Sequence, residues 1–381
     1  MAITVRRAGP ADRDALWRFD RQAFPELTEH RGPERWRWQY ERNPALGEDA
    51  PPVWVAEDEG RIVGQICAIP VILQLGGEAL PAAWGADFIV LPGADPRAAY
   101  RLMRAVAGHY GVFLALAMAD TTRRILMAMG ARELPAVPTL IKPVRLRPDG
   151  ARRILIRLTR GRPRLARLAR FACDTLHAHH TACTAVNIAL TARDRLTARG
   201  ADTAGIRIEA VERFEDDVAS AIFDARDRPF SVAVRRDAAY LNWRFADGGG
   251  LGYRIFVAYR DGEPDGYLVL RRTLPCEMSL GVIAELYARG GRDATHAALI
   301  RHAERHFGTD VAALVCATSL PEQQAAFRRA GFIPAHEARP MCWSADPGVA
   351  ARLAAPGTRW FLTRGDHDWD TVRPVPDRFE G

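Results

Sequence analysis

Lysine is almost missing from this 381-residue chain: of its 53 basic residues only Lys142 is lysine and the other 52 are arginine. A phosphate-binding loop of the G-x-x-x-x-G-K-[ST] type, a kinase-style catalytic lysine and a Schiff-base lysine each need an ammonium group at a defined place. Lys142 lies in Leu-Ile-Lys-Pro with no glycine loop before it, so the sequence excludes those chemistries. Serine is scarce too, and none of the five, at 220, 231, 279, 319 and 344, stands in G-x-S-x-G. No H-E-x-x-H occurs either, so the two commonest hydrolase signatures are absent. Six cysteines, at 67, 173, 183, 276, 316 and 342, are too few and too scattered for a disulfide scaffold, which points to reduced thiols. The longest strongly apolar run, Gly111 to Ala119, is about half of what a helical bilayer crossing requires. The opening Met-Ala-Ile-Thr-Val-Arg-Arg has no apolar stretch behind its charges, and the expected location is the cytoplasm.

What is there is an ordinary globular composition, 48% hydrophobic and 26% charged with a net charge of +7, enough for about two domains. Self-similarity at an offset close to 200 organises it. Ile3-Thr4-Val5-Arg6 answers to Ile206-Arg207-Ile208-Glu209, both alternating as a half-buried strand does. Trp38-Gln39-Tyr40 answers to Trp243-Arg244-Phe245, and Val53 to Gly60 parallels Ile255 to Gly262, with Gly64 and Gly266 at equal distances beyond. Each of the latter pair reads as a strand, a tight turn and a second strand. Gly130 and Gly331 sit where a helix would end in a left-handed cap.

Each half therefore reads as an α+β or mixed α/β domain. In the first, a fourth strand is expected at about Ala83 to Leu91, a helix at Pro96 to Gly108, a fifth strand at Val112 to Ala119 and a helix at Thr121 to Met129. In the second, the same elements are expected at Gly281 to Ala288, Asp293 to Phe307, Val311 to Thr318 and Pro321 to Ala330. Strand, helix, strand at this length implies a right-handed crossover between parallel neighbours. The expected division is residues 1–145, a connector at 146–202 and residues 203–381. From Arg145 to Arg170 the connector carries ten Arg and one acid, Asp149, with Leu and Ile near helical spacing. It reads either as a linking helix with a solvated Arg face or as a basic amphipathic helix, over about 145–171, on an anionic membrane or nucleic acid.

Three other constellations stand out. Cys173, His177 and His180 fall at i, i+4 and i+7, with His179 and Cys183 nearby, but the spacing matches no standard zinc module and no metal site is expected. The tail from Trp360 to Asp370 alternates carboxylates with rings; a calcium loop would need Gly where Thr371 stands and Glu where Asp377 stands. Trp36, Trp38 and Tyr40, with Trp243 and Phe245, are either walls for a substrate or packing between the halves, since i, i+2, i+4 does not favour one helix face.

The order of elements, the repeat and the helix-ending Gly331-Phe332 resemble the GNAT acyltransferase superfamily in both halves, which makes this a tandem GNAT-like chain. The resemblance implies acetyl-CoA or another acyl-CoA in the gap where the fourth strand splays from the fifth, its pyrophosphate on the following helix N-terminus, where free N–H groups and the helix dipole favour an anion. Val90-Leu91-Pro92 followed by Arg97 to Met103 is similar to the family's strand, loop and helix. The positions implied for the cofactor are Ile89, Val90, Arg97, Ala98, Ala99, Tyr100 and Arg101. The usual Arg or Gln, Gly and Gly or Ala of the loop would fall on Ala94, Arg97 and Ala99, of which only the last fits. Leu126 and Phe327 stand where the family often has a proton-donating Tyr.

Acyl transfer to an amine needs a base and a polarised thioester carbonyl. Asp87 and Glu285 in the fourth strands, and Asp120 after the fifth, are the candidate bases. The implied acceptor is a small-molecule or sugar-linked amine, attacked directly without a covalent enzyme intermediate. Two other functions fit the same architecture: a Fem-type transferase that uses aminoacyl-tRNA, the one reading with a nucleic-acid partner, and a non-catalytic scaffold. The oligomeric state is not legible.

Overall fold

The computed structural model describes residues 3–23, 25, 32–47, 50–116, 118–148, 168, 171–173, 177–197, 205–223, 227–248, 250–274 and 279–370. Most of the Arg-rich run of the connector lies outside these residues. In the first half the chain forms β1 (Thr4–Arg7), α1 (Arg13–Ala23), β2 (Val53–Asp58), β3 (Arg61–Leu75), β4 (Glu78–Val90), α2 (Arg97–Tyr110), β5 (Val112–Ala115), α3 (Asp120–Ala128), β6 (Arg132–Glu133) and β7 (Val137–Pro143). After the connector helix α4 (Ala178–Thr197) come β8 (Ile206–Val211), α5 (Asp216–Phe223), β9 (Val232–Val234), β10 (Arg254–Arg260), β11 (Glu263–Thr273) and β12 (Leu280–Ala288). The chain closes with α6 (Asp293–Phe307), β13 (Ala313–Ala317), α7 (Pro321–Arg329), β14 (Ile333–Ala338), β15 (Met341–Ser344), α8 (Pro347–Leu353) and β16 (Trp360–Phe361).

The repeat is real in three dimensions. β2 and β3 form a hairpin whose turn residues Glu59 and Gly60 both have positive φ (50° and 77°), and β10 and β11 repeat it with Asp261 and Gly262 (53° and 87°). Two consecutive left-handed residues give the turn whose twist matches paired strands, which Asp-Gly favours at 261–262 and which Glu59 adopts beside Gly60. Gly130 and Gly331 end α3 and α7 with φ of 84° and 89°, as the sequence implies. In each half the fourth strand runs parallel to the fifth, β4 to β5 and β12 to β13.

The two sheets do not follow contiguous halves of the chain. The first runs β1-β2-β3-β4-β5-β15-β6, with β9 on the overhang of β3 and β16 beside β9; the second runs β14-β7-β13-β12-β11-β10-β8. Thus β7 leaves the first half to pair with β13 and β14, while β15 leaves the second to pair with β5 and β6. Periodicity names strands but not their partners, so the division of the sequence into residues 1–145 and 203–381 does not reveal that β7 and β15 are exchanged.

Helix α2 buries Ala98, Leu102, Met103, Val106 and Ala107, the stripe of an amphipathic helix, against Ile66, Ala68, Ala83 and Phe113 of the first sheet. Helix α6 does the same on the second, placing Leu299, Ile300, Ala303 and Phe307 with Phe256, Leu268 and Leu286. The opposite faces share one core, in which Val55, Ile69, Trp84 and Leu114 join Tyr267, Val282, Trp360 and Phe361. Full burial of such side chains contributes roughly 1.5–3 kcal/mol each. Helix α4 is fastened beside β7: buried Lys142 reaches Glu304 of α6 at 2.6 Å and Asp194 of α4 at 3.1 Å, and Asn187 makes two hydrogen bonds to the backbone of Leu146.

Candidate active site

Strands β4 and β5 pair only over Ala82–Trp84 and Val112–Leu114; beyond Gly85 they part. Where they part, β4 carries a bulge, because Gln65 faces Ile89 and Cys67 faces Ala86, so that Asp87 and Phe88 together oppose Ile66. Asp87 has φ of 50°; aspartate is among the few non-glycine residues that accept this conformation, and a bulge re-aims a side chain out of the pleat. Its carboxylate accepts a 2.7 Å hydrogen bond from the Tyr40 hydroxyl, which accepts one of 3.0 Å from Gln39, whose Oε1 accepts one of 3.1 Å from Arg35. Gly9, Arg13, Trp36, Tyr40, Glu41 and Leu46 line an open groove of about 520 Å³. Tyr40 is thus both a lining residue of the groove and the hydrogen-bond donor to Asp87.

Tyr40 belongs to a turn of π-helix, Arg37–Glu41, closed by an i+5 bond from Arg42 N–H to Arg37 O; Asn242–Ala246 is its counterpart, closed from Asp247 to Asn242. Within this wider turn the consecutive side chains Trp38, Gln39 and Tyr40 are all buried. Trp38 and Trp243 stack at 5.4 Å, and each indole N–H donates to the other's backbone carbonyl, at 2.6 and 2.7 Å. These two aromatics join the halves, whereas Trp36 and Tyr40 line the groove.

A residue that sequence reasoning missed comes from the tail. Buried His367 places Nε2 2.7 Å from the Gly85 carbonyl, and its Nδ1 is paired with the Asp368 carboxylate. Burial by itself would lower the His367 pKa, but Asp368, the Gly85 carbonyl and the charge of Asp87 outweigh it and raise it. The Asp368 carboxylate near Nδ1 and the Gly85 carbonyl at Nε2 both favour the protonated ring beside the bulge. No spacing in the sequence could relate position 367 to position 85. The tail carboxylates serve protein partners rather than a calcium loop: Asp366 meets Arg236, and Asp370 accepts from Tyr253 at 2.5 Å.

The positions implied for the cofactor divide. Ile89 packs toward Phe19 and Ala23 of α1, and Val90 lies on the opposite face with the α2 core. Ala98 is fully buried and its N–H is bonded to Asp95 O at 2.9 Å. Arg97 is turned back on Asp95, which accepts from its N–H at 2.8 Å and its guanidinium at 2.7 Å. The hydrogen bonds from Arg97 hold the Asp95 carboxyl down at about 2. Arg101 is tied to Ile3 O at 2.7 Å, Tyr100 is exposed and Ala99 half-buried. The Asp95 carboxylate thus occupies the Arg97 N–H that an anion at this helix N-terminus would use.

Asp120 stands exposed at the first residue of α3. Glu285, the counterpart of Asp87, is only 1% exposed and accepts from Arg236 (3.1 Å), Tyr267 (2.5 Å) and Thr363 (2.7 Å). Arg236 is shared with buried Asp366 at 2.7 Å. Burial would raise both carboxyls; Arg236 with the two hydroxyls holds Glu285 below the usual carboxylate range, whereas burial and the Glu285 charge leave Asp366 above it. β12 and β13 also part beyond Val282, but Gln323 of α7 donates to Leu286 O at 2.9 Å and the tail bridges Thr318 to Thr363. The second opening is filled by the chain itself, and Glu285, expected as a base, lies buried there among Arg236, Tyr267 and Thr363.

Residues 4–110 match the family model for an acetyltransferase (GNAT) domain. No curated protein matches the chain. Among solved structures, a GCN5-related N-acetyltransferase from Anabaena variabilis is similar over 91% of this chain and 73% of its own, at 12% identity and a TM-score of 0.58. A probable N-acyltransferase of Enterococcus faecalis matches over 92% and 74%, at 10% identity and 0.59. Saccharomyces cerevisiae N-myristoyltransferase with bound myristoyl-CoA matches over 90% and 79%, at 10% identity and 0.53. Residues 4–110 thus match a GNAT acetyltransferase domain, and the chain shares its fold, over both sheets, with GCN5-related N-acetyltransferases.

Proposed function

We propose that the protein transfers an acyl group from a CoA thioester to an amine, and that its first half performs the reaction. The observation that carries this reading is the asymmetry of the repeat: Asp87 stands on a bulge at an open splay one hydrogen bond from a groove, whereas Glu285 is buried under the tail. The names of the similar proteins, two transferases to nitrogen and one holding myristoyl-CoA, agree with a thioester donor.

In this reading the donor lies between β4 and β5, and acetyl-CoA is the first donor to test. The amine enters along the Trp36 and Tyr40 groove, whose rings and Glu41 suit an ammonium on a small or sugar-like frame. Asp87, directly or through the Tyr40 hydroxyl, takes the proton from nitrogen. The nitrogen lone pair then forms the N–C bond, the C–S bond breaks with its electrons left on sulfur, and the second proton, which nitrogen gives up as the amide forms, passes through solvent to the departing thiolate. The His367 charge beside Gly85 stabilises the oxyanion and the leaving thiolate. Leu126, 1% exposed, cannot supply the departing group with a proton.

The test is thermal melting with acetyl-CoA, longer acyl-CoAs and free CoA, followed by an amine screen. A ligand at one hundred times its Kd adds about 2.7 kcal/mol, and acyl-CoA should raise Tm measurably. No shift with any CoA overturns the reading. One observation favours an aminoacyl-tRNA donor in that event: Pro92 and Pro96 remove two N–H donors from the loop and Asp95 puts a carboxylate there. Binding of tRNA that falls steeply with salt would establish that donor.

A further inference from the structure

Helix α4 begins at Ala178, so Cys173 and His177 do not share its face and the i, i+4, i+7 arrangement does not form. What forms instead is a tighter group. In a helix, residues two apart point in different directions. His177, however, lies just before the helix with φ of 48° and accepts a 2.9 Å backbone bond from His180 N–H. The left-handed step turns its ring back over the first helical turn, where the His177, His179 and His180 rings lie with centroids 4.4 to 6.1 Å apart. One ring nitrogen from each lies within 4.8 Å of the others. His177 and His180 are exposed and His179 is 9% exposed, its Nδ1 enclosed without a hydrogen-bond partner.

We propose that His177, His179 and His180 bind a divalent transition-metal ion of the zinc class, with solvent completing the coordination. Two ligands about 2.1 Å from a tetrahedral ion stand roughly 3.4 Å apart. The gap from 4.8 Å is one that rotation of the two exposed rings closes. Imidazole nitrogen selects zinc, nickel, cobalt or copper over magnesium and calcium, which want oxygen. An enclosed ring nitrogen with no partner costs free energy until it meets a proton donor or a metal. A non-glycine residue at positive φ marks strain held at a particular place. The sulfur of Cys183 is engaged elsewhere, donating to Leu146 O at 2.7 Å, so the set is nitrogen alone.

The full chain, stripped of metal with a chelator, is titrated with Zn2+ by calorimetry and with Co2+ followed by its visible spectrum. One equivalent of Zn2+ should bind, and Co2+ should show the strong bands of a low-coordinate nitrogen site. His179→Ala should weaken binding by more than about 100-fold, beyond the roughly 10–100-fold that loss of an outer partner costs. The double variant His177→Ala/His180→Ala, whose side chains are exposed, should do the same with the metal-free Tm unchanged. Stoichiometric binding that survives both variants overturns the assignment, as does less than about a tenth of an equivalent in the wild-type protein.

Discussion

Asp87 and Glu285 show that a carboxylate at repeated positions takes its chemistry from its surroundings. Asp87→Asn removes the base without changing shape and should lower kcat by about 10²–10⁴-fold with acyl-CoA affinity retained; single-turnover kinetics and the melting shift separate the two. Glu285 sits in an ion cluster whose loss is structural. Arg236→Met leaves two buried carboxylates sharing no cation and should cost about 3–5 kcal/mol in urea unfolding. Asp95→Asn removes a negative charge from the helix N-terminus where the phosphates are proposed to lie, and should tighten acyl-CoA binding several-fold by calorimetry. His367 carries a pH signature. Its folded pKa is raised, so its stabilising contribution is fully present below the ordinary histidine value near 6.5 and is lost as pH rises through the raised folded value. The stability difference between wild type and His367→Gln should therefore shrink from pH 6 toward pH 9.

Elements were the part most readily read from the chain. The helix expected at Asp293 to Phe307 is found with those bounds, and the one expected at Pro96 to Gly108 spans Arg97–Tyr110. Both announce themselves by apolar spacing and by a glycine at the end. The fifth strands came out shorter than expected, at Val112–Ala115 and Ala313–Ala317; each runs past its last contact with the fourth strand and ends with its pairing to β15 or β7, partners the sequence did not indicate. The π turns at Arg37–Glu41 and Asn242–Ala246 could not be recognised as such, although their odd aromatic spacing was visible, since the extra residue per turn is set by tertiary contact of Trp38 with Trp243. The exchange of β7 and β15 predicts that residues 1–145 expressed alone lack the strand between β5 and β6. That fragment should aggregate or stay unfolded by circular dichroism, while coexpression with the remainder should recover a folded complex.

At the scale of the whole molecule the two halves share a core, exchange strands and are locked at Trp38 and Trp243. Unfolding should be one cooperative transition in calorimetry rather than two, and Trp243→Ala should lower its stability by about 3–5 kcal/mol while leaving it single. Offset, hairpins, helix caps and the likeness to GNAT proteins were all written in the chain, because they rest on periods and turn residues that act over a few positions. Asp87 was visible as a carboxylate in an apolar strand. That it lies on a bulge, that Tyr40 reaches it across 47 residues and that His367 reaches Gly85 across 282 were decided only by the tertiary structure. The same holds for which of two similar halves stays open, since this depends on where the tail packs. Short-range patterning fixes the elements; the burial of charge against distant partners selects the site.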